Sequence, residues 1–300
     1  MEKKERFAIV GLGKVGTAIG FLIRKVGYEI AAVADLSEEA LRRGHPYTGG
    51  YMTRNAAHAA SMADNVIITT TDDAIFQTCK DIAQAGVIRN DQRFIHMSGS
   101  GSLALLEPAR EKGAKTACIH PLQSFSNVAG AIDNIPGSVF GVTASNQEME
   151  SWSQEFVRNL GGIPFFINDG DKKTLYHVAA CIASNYLVTL LHFVKIIYQN
   201  LGMEEEIAIK SILPLVKGTL KNIEAQGTTL SLTGPIARGD VGTIRRHLAA
   251  LREFMPEMLP YYRLLGLATV KLAEERGTVK EENLKTLEEL MKGEEYEHTG

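Results

Sequence analysis

The chain has 300 residues, 45% of them hydrophobic, and a formal net charge of -3. That length and apolar content can build two domains of ordinary size, while the charge balance and the lack of long basic runs argue against a nucleic-acid partner and leave small-molecule chemistry. Cys79, Cys118 and Cys181 are widely spaced with no CxxC pair, and the histidines lack HExxH spacing, so the reading is reduced thiols, a cytoplasmic protein and no metal framework. No run of about 18 uninterrupted apolar residues occurs. MEKKERF leads directly into a strand, so neither a membrane span nor a secretory leader is expected.

Residues 6–35, RFAIVGLGKVGTAIGFLIRKVGYEIAAVAD, read as an apolar strand, a glycine-rich turn, an amphipathic helix and a second apolar strand ending in an acid. A bare GxGxxG is weak evidence, but all five features in register specify a dinucleotide site. Gly11 permits the tight turn, Gly13 lets backbone N–H groups approach a pyrophosphate, and Gly16 brings the helix close to the sheet. The turn comprises Gly11, Leu12, Gly13, Lys14, Val15 and Gly16, and the helix opens at Lys14 with unpartnered N–H donors and the positive end of its dipole. Asp35 falls where a carboxylate accepts hydrogen bonds from the adenosine ribose. It favours NAD over NADP, because it would repel a 2′-phosphate, with Arg42 and Arg43 as the counter-indication.

Further along, Ser37 caps a short helix to Gly44, and strand and helix then alternate. Strands are expected over 65–70, 93–98, 114–120, 138–144 and 163–168, with helices over 73–86, 103–113 and 147–160. This βαβ series predicts an α/β domain with a mostly parallel, doubly wound sheet. From Lys172 the period becomes 3.6, predicting an all-α region with helices near 172–200, 204–225, 240–253, 256–276 and 280–292. The polar turn NDGDKK (168–173) sets the boundary, giving a nucleotide-binding domain over 1–168 and a helical domain over 169–300.

Ligands of open parallel sheets bind beyond the carboxyl ends of the strands. Thr70, Thr71 and Asp72 follow the fourth strand, beside the expected ribose and nicotinamide; alternatively Asp72 caps the next helix. Ser98 and the glycines after it bring a hydroxyl and bare backbone to the same edge, or form a flexible turn. His120, at a strand end and followed by a proline, is placed to exchange a proton with an alcohol or carbonyl oxygen, or simply bonds to backbone. In the helix LYHVAACIASNYL, His177, Cys181 and Asn185 share one helical face and either bond structurally or line a substrate cavity. Arg238, in LTGPIARGD, either clamps a substrate carboxylate or pairs with Asp240 or Glu257.

GLGKVG, TTTDDAI, HPLQSF, YHVAACIASNYL and LTGPIARGD together resemble the Rossmann-like proteins that carry a C-terminal domain of unknown function 2520, within the 6-phosphogluconate dehydrogenase-like superfamily. The resemblance implies a nicotinamide cofactor, a helical C-terminal domain used for substrate binding and homodimerisation, and an active site between the domains. β-Hydroxyacid dehydrogenases place a catalytic lysine four residues before an asparagine on the first helix of that domain; here Asn185 matches and Cys181 stands at the lysine position. Prephenate dehydrogenases use a histidine in an HP segment and a serine after the preceding strand, which correspond to His120 and Ser98. The resulting expectation is an NAD(P)-dependent oxidoreductase of a small, anionic carbonyl or hydroxy compound, with His120, Ser98 and Asn185 catalytic and His177, Cys181 and Arg238 binding substrate. A dinucleotide-binding sensor without turnover is the alternative.

Overall fold

The computed structural model describes residues 5–168 and 172–293, so residues 169–171 of the expected boundary turn lie outside the described residues. The chain forms two compact units, Met1–Tyr186 and Leu187–Gly300.

In the first unit the elements run β1 (Arg6–Val10), α1 (Lys14–Lys25), β2 (Glu29–Ala34), α2 (Glu38–Thr48), β3 (Tyr51–Thr53), α3 (Ala56–Ser61), β4 (Asn65–Ile68), α4 (Asp72–Gln84) and β5 (Arg93–His96). They continue with α5 (Glu107–Arg110), β6 (Lys115–Pro121), α6 (Val128–Asn134), β7 (Val139–Ala144), α7 (Gln147–Asn159), β8 (Ile163–Phe166) and α8 (Lys172–Cys181). The strand order is β3-β2-β1-β4-β5-β6-β7-β8, and only the β6–β7 pair is antiparallel. Helices cover both faces, which is why the central strands are apolar throughout instead of alternating. Alternate residues of β1 divide the core: Phe7 and Ile9 join Ile19 and Phe156 on one face, while Ala8 and Val10 join Ile75 and Ile82 on the other.

The short β3, α3 and α6 lack the long periodic runs that reveal an element in sequence. The helix expected over 103–113 is a 3-10 turn, Leu103–Leu106, followed by α5, because Pro108 fits only a first helical turn. The first unit also runs past the expected boundary at residue 168. The reason is local: Lys173, Tyr176 and His177 of α8 pack onto the ends of β5, β6 and β7.

A π-helical turn, Ile182–Tyr186, follows α8. The second unit contains α9 (Leu187–Asn200), α10 (Glu205–Ser231), α11 (Val241–Phe254), α12 (Leu259–Arg276) and α13 (Glu281–Lys292). Ile236, Ile244, Leu248, Val270 and Leu287 form its core. α10 outruns the expected end at 225 and breaks at Gly227, whose φ is 78°. The helical run Lys172–Asn200 is long and apolar enough, by length and composition alone, to cross a membrane, a feature that a search for uninterrupted apolar runs passes over because His177, Asn185 and Lys195 interrupt it.

Candidate functional site

The glycine turn is built as its sequence requires. Gly11 adopts φ 101°, and a Cβ there would come within 2.7 Å of the Thr69 carbonyl carbon and the Thr70 nitrogen. A Cβ on Gly16 would fall onto the Gly11 carbonyl, so helix and strand approach as only glycine allows. Gly13 starts α1 with open space above it and no side-chain cap, leaving the first N–H donors of α1 turned to a surface groove. This groove encloses about 810 Å³ and is lined by Gly11, Gly13, Asp35, Arg54, Thr70 and Thr71, among others. Uncapped donors, absent side chains and this volume together fit a dinucleotide.

Asp35 closes the groove and shapes it. Its Oδ2 accepts from the Leu12 N–H at 2.7 Å and its Oδ1 from the Ser37 N–H at 2.8 Å, tying the end of β2 to the glycine turn. Leu12 takes part through this backbone donor, since its side chain is buried in the core. Lys14 is exposed and Val15 packs against the core from the first turn of α1. Arg42 and Arg43 reach back to Glu38 and Glu39 along α2. The arginine that lines the groove is Arg54, held by its Nε bond to the Leu36 carbonyl, and no sequence motif marks it.

The turn after β5 is held from three sides. Asp72 is the first residue of α4, whose cap position is Thr71, so the capping role open to Asp72 from sequence is not the one seen. Its Oδ2 instead accepts from Ser98 Oγ at 2.7 Å and Ser100 Oγ at 3.4 Å. Ser98 Oγ also accepts from the Gly101 N–H at 2.9 Å, so the hydroxyl expected to be catalytic is engaged in holding its own turn. From beneath, His96 Nδ1 accepts from the Ser98 N–H, which places the ring proton on Nε2, facing the Ser102 carbonyl at 3.1 Å. Burial above all, with the Lys173 charge adding to it, pushes the His96 pKa down to about 3. The third support is Lys173, whose Nζ donates to the carbonyls of Ser98 and Gly101 and to Cys118 Sγ. Burial raises the Cys118 thiol against the opposing pull of Lys173.

His120 stands near the carboxyl end of β6, beside this turn. Its ring meets His177 edge to face, with centroids 5.8 Å apart and planes at 84°, and meets Tyr176 at 5.7 Å and 90°. Tyr176 OH accepts from the Gly141 N–H at 3.2 Å and donates to the His120 carbonyl at 3.4 Å, pinning α8 to β6 and β7. Cys181 Sγ lies 3.7 Å from His177 Nε2. The Nδ1 atoms of His120 and His177 are both buried without a hydrogen-bond partner. Burial, then the His177 and Lys173 charges, lower the His120 pKa to about 4, with Asp72 pulling the other way. The imidazole is therefore neutral at physiological pH, able to accept a proton and unable to store one for donation.

His120, His177 and Cys181 thus come together. Asn185 lies within the π turn and is exposed. Arg238, in the second unit, is exposed in a 3-10 turn; its neighbour Asp240 caps α11, accepting from Thr243 N at 2.9 Å and Thr243 Oγ1 at 2.7 Å. Lys173, Tyr176 and His96 were missed from sequence. The only available signal was the spacing of Lys173, Tyr176 and His177, which puts all three on one face of α8. Among the described residues no group of three or more His, Cys, Asp or Glu is placed to hold a metal ion.

This is a Rossmann-like domain with a dinucleotide-shaped groove, joined to a helical region. Residues 2–121 match the Rossmann-like domain and residues 138–269 match the domain of unknown function DUF2520; the chain belongs to the Rossmann-like proteins carrying that domain. No curated protein matches it. Among solved structures it resembles a candidate NADP oxidoreductase of Bacteroides fragilis, at 20% identity and TM-score 0.72 over 87% of this chain and 96% of that one. A protein of Thermotoga maritima is similar at 24% identity and TM-score 0.69, over 90% of this chain and 98% of that one. An NADP-bound pyrroline carboxylate reductase of Plasmodium falciparum is similar at 14% identity and TM-score 0.59, over 96% and 98% respectively. At these identities the likeness is one of fold.

Proposed function

We propose that the protein is an NAD(P)-dependent oxidoreductase of a small, anionic carbonyl or hydroxy compound. The observation that carries this reading is a half-buried, neutral histidine at the carboxyl end of β6, on the sheet edge that also bears the glycine turn and its groove. The oxidoreductases and reductases among its structural neighbours support the same class. A nicotinamide dinucleotide held by Gly11 to Gly16, Asp35, Thr70 and Thr71 supplies the hydride chemistry. The chain's own part is to hold the cofactor and to move a proton. In the oxidative direction neutral His120 takes the hydroxyl proton at Nε2, with His177 alongside; reduction runs the same step backwards, the ring first taking up a proton from solvent and then passing it to the carbonyl oxygen. Asn185 and Arg238 remain candidates for orienting that oxygen and holding a carboxylate.

We further propose that the protein is cytoplasmic and a homodimer, its exposed apolar helical surface being covered by a second copy. The enzyme reading is tested by screening hydroxy acids, keto acids and cyclic imines with NAD(H) and NADP(H) at the nicotinamide absorbance band. With a substrate in hand, His120→Asn is expected to lower turnover by roughly 10²-fold or more while cofactor affinity holds. Tight cofactor binding with no turnover across the screen would favour the sensor.

A further inference from the structure

Lys173 is 0% exposed, a rare place for an ammonium. Its acceptors are the Ser98 carbonyl at 3.0 Å, the Gly101 carbonyl and Cys118 Sγ at 2.6 Å. Because burial raises the Cys118 thiol, none of the three brings a formal negative charge, and the positive charge is left to act on its surroundings.

We infer that Lys173 is the positioning residue of this site: its ammonium fixes the Ser98–Gly101 turn against β6 and stands as a positive charge near the His120–His177 pair. The inference rests on the reading of His120 as proton carrier. Two carbonyls drawn to one ammonium restrict the turn to one conformation, and since both peptides are trans, the N–H groups of Gly99 and Ser102 face away from Nζ. Ser98 and Asp72 hold the same turn from the other side, so it cannot rotate without breaking charge-assisted bonds at both. The charge has a second effect. His120 is faced by Lys173, Tyr176 and His177 from α8, by Cys118 from its own strand, by His96 from β5 and by Asp72 from α4; Lys173 and His177 oppose its protonation and Asp72 favours it. Lys173 therefore helps to keep His120 neutral where it must accept a proton.

The test is a histidine ¹⁵N NMR titration of the full chain, assigned with His120→Asn, in wild type, Lys173→Met and Lys173→Gln. In both variants the His120 midpoint is expected to rise from about 4 toward 6.5, and that of His96 to rise from about 3. Gln keeps a donor but no charge, so its Tm should lie nearer wild type than that of Met while the midpoint shift persists. Unmoved midpoints in either folded variant overturn the inference. Should neither variant fold, the wild-type lysine ¹⁵Nζ spectrum decides: a solvent-protected ammonium at pH 7 supports the role, and a neutral amine sinks it. Shifted midpoints in a protein that turns over nothing in the substrate screen would keep Lys173's role and remove the proposed reaction. Turnover with unmoved midpoints would do the reverse.

Discussion

The rings of His120 and His177 meet edge to face at 5.8 Å across the bare Cα of Gly99, with neither Nδ1 finding a partner. Both nitrogens are enclosed yet unbonded, and unsatisfied buried groups of this kind concentrate where chemistry is done. The pair is also a point where α8 meets the strand ends.

Gly99→Ala tests that dependence. A Cβ at this position would lie 2.9 Å from His120 Nε2 and closer still to His177 Nδ1, so at least one ring has to move. Overpacking of this kind costs about 1–3 kcal/mol, to be read as a lowered urea midpoint at unchanged slope. Affinity for NADH, set at the glycine turn, should hold. An alanine variant as stable as wild type would show that the rings are not fixed there.

Stability should fall on acidification, and the sign follows from buried His96 and half-buried His120. His120 and His96 have folded pKa values of about 4 and about 3 against an ordinary 6.5. Between those values the unfolded chain binds more protons than the folded one, so stability is fully present above about 6.5 and is lost as pH falls toward 4. Thermal melts from pH 7.5 to 4.5 should show a declining Tm, with a shallower decline in His120→Asn. A Tm that stays flat or rises across that range would contradict the burial of both rings.

Cofactor choice is expected to turn on Asp35, which already accepts from Leu12 and Ser37 and so cannot swing clear of a 2′-phosphate without releasing the turn. NADH should bind more tightly than NADPH, and Asp35→Ser should narrow or reverse the preference. Fluorescence titration with both cofactors measures this. Tighter NADPH binding to the unaltered chain would shift attention to Arg54, whose guanidinium lines the groove.

Assembly is expected to be dimeric. In the second unit Leu201, Leu215 and Leu264 are 75, 70 and 69% exposed, more apolar surface than a monomer usually presents. Light scattering at micromolar concentration should give about twice the 32.8 kDa of one chain, and Leu215→Glu with Leu264→Glu should shift the mass toward a single chain. A wild-type mass near 32.8 kDa would refute the dimer.

What the sequence determined by itself was everything set by local geometry. Gly11, Gly13, Gly16 and Asp35 announce the groove because their roles belong to backbone reach within one βαβ unit, and the change from strand-helix alternation to a 3.6 period locates the helical region. Tertiary structure decided what depends on distant partners. Ser98 stands at its strand end by local sequence, but the bond from its hydroxyl to Asp72, 26 residues away, belongs to the fold. The π turn that holds Asn185, Ile182–Tyr186, is invisible to 3.6 periodicity. Lys173 read as part of a polar boundary turn; only the fold shows it buried against Ser98 and Cys118, 75 and 55 residues away, where its charge acts on a histidine that sequence alone would leave with an ordinary pKa.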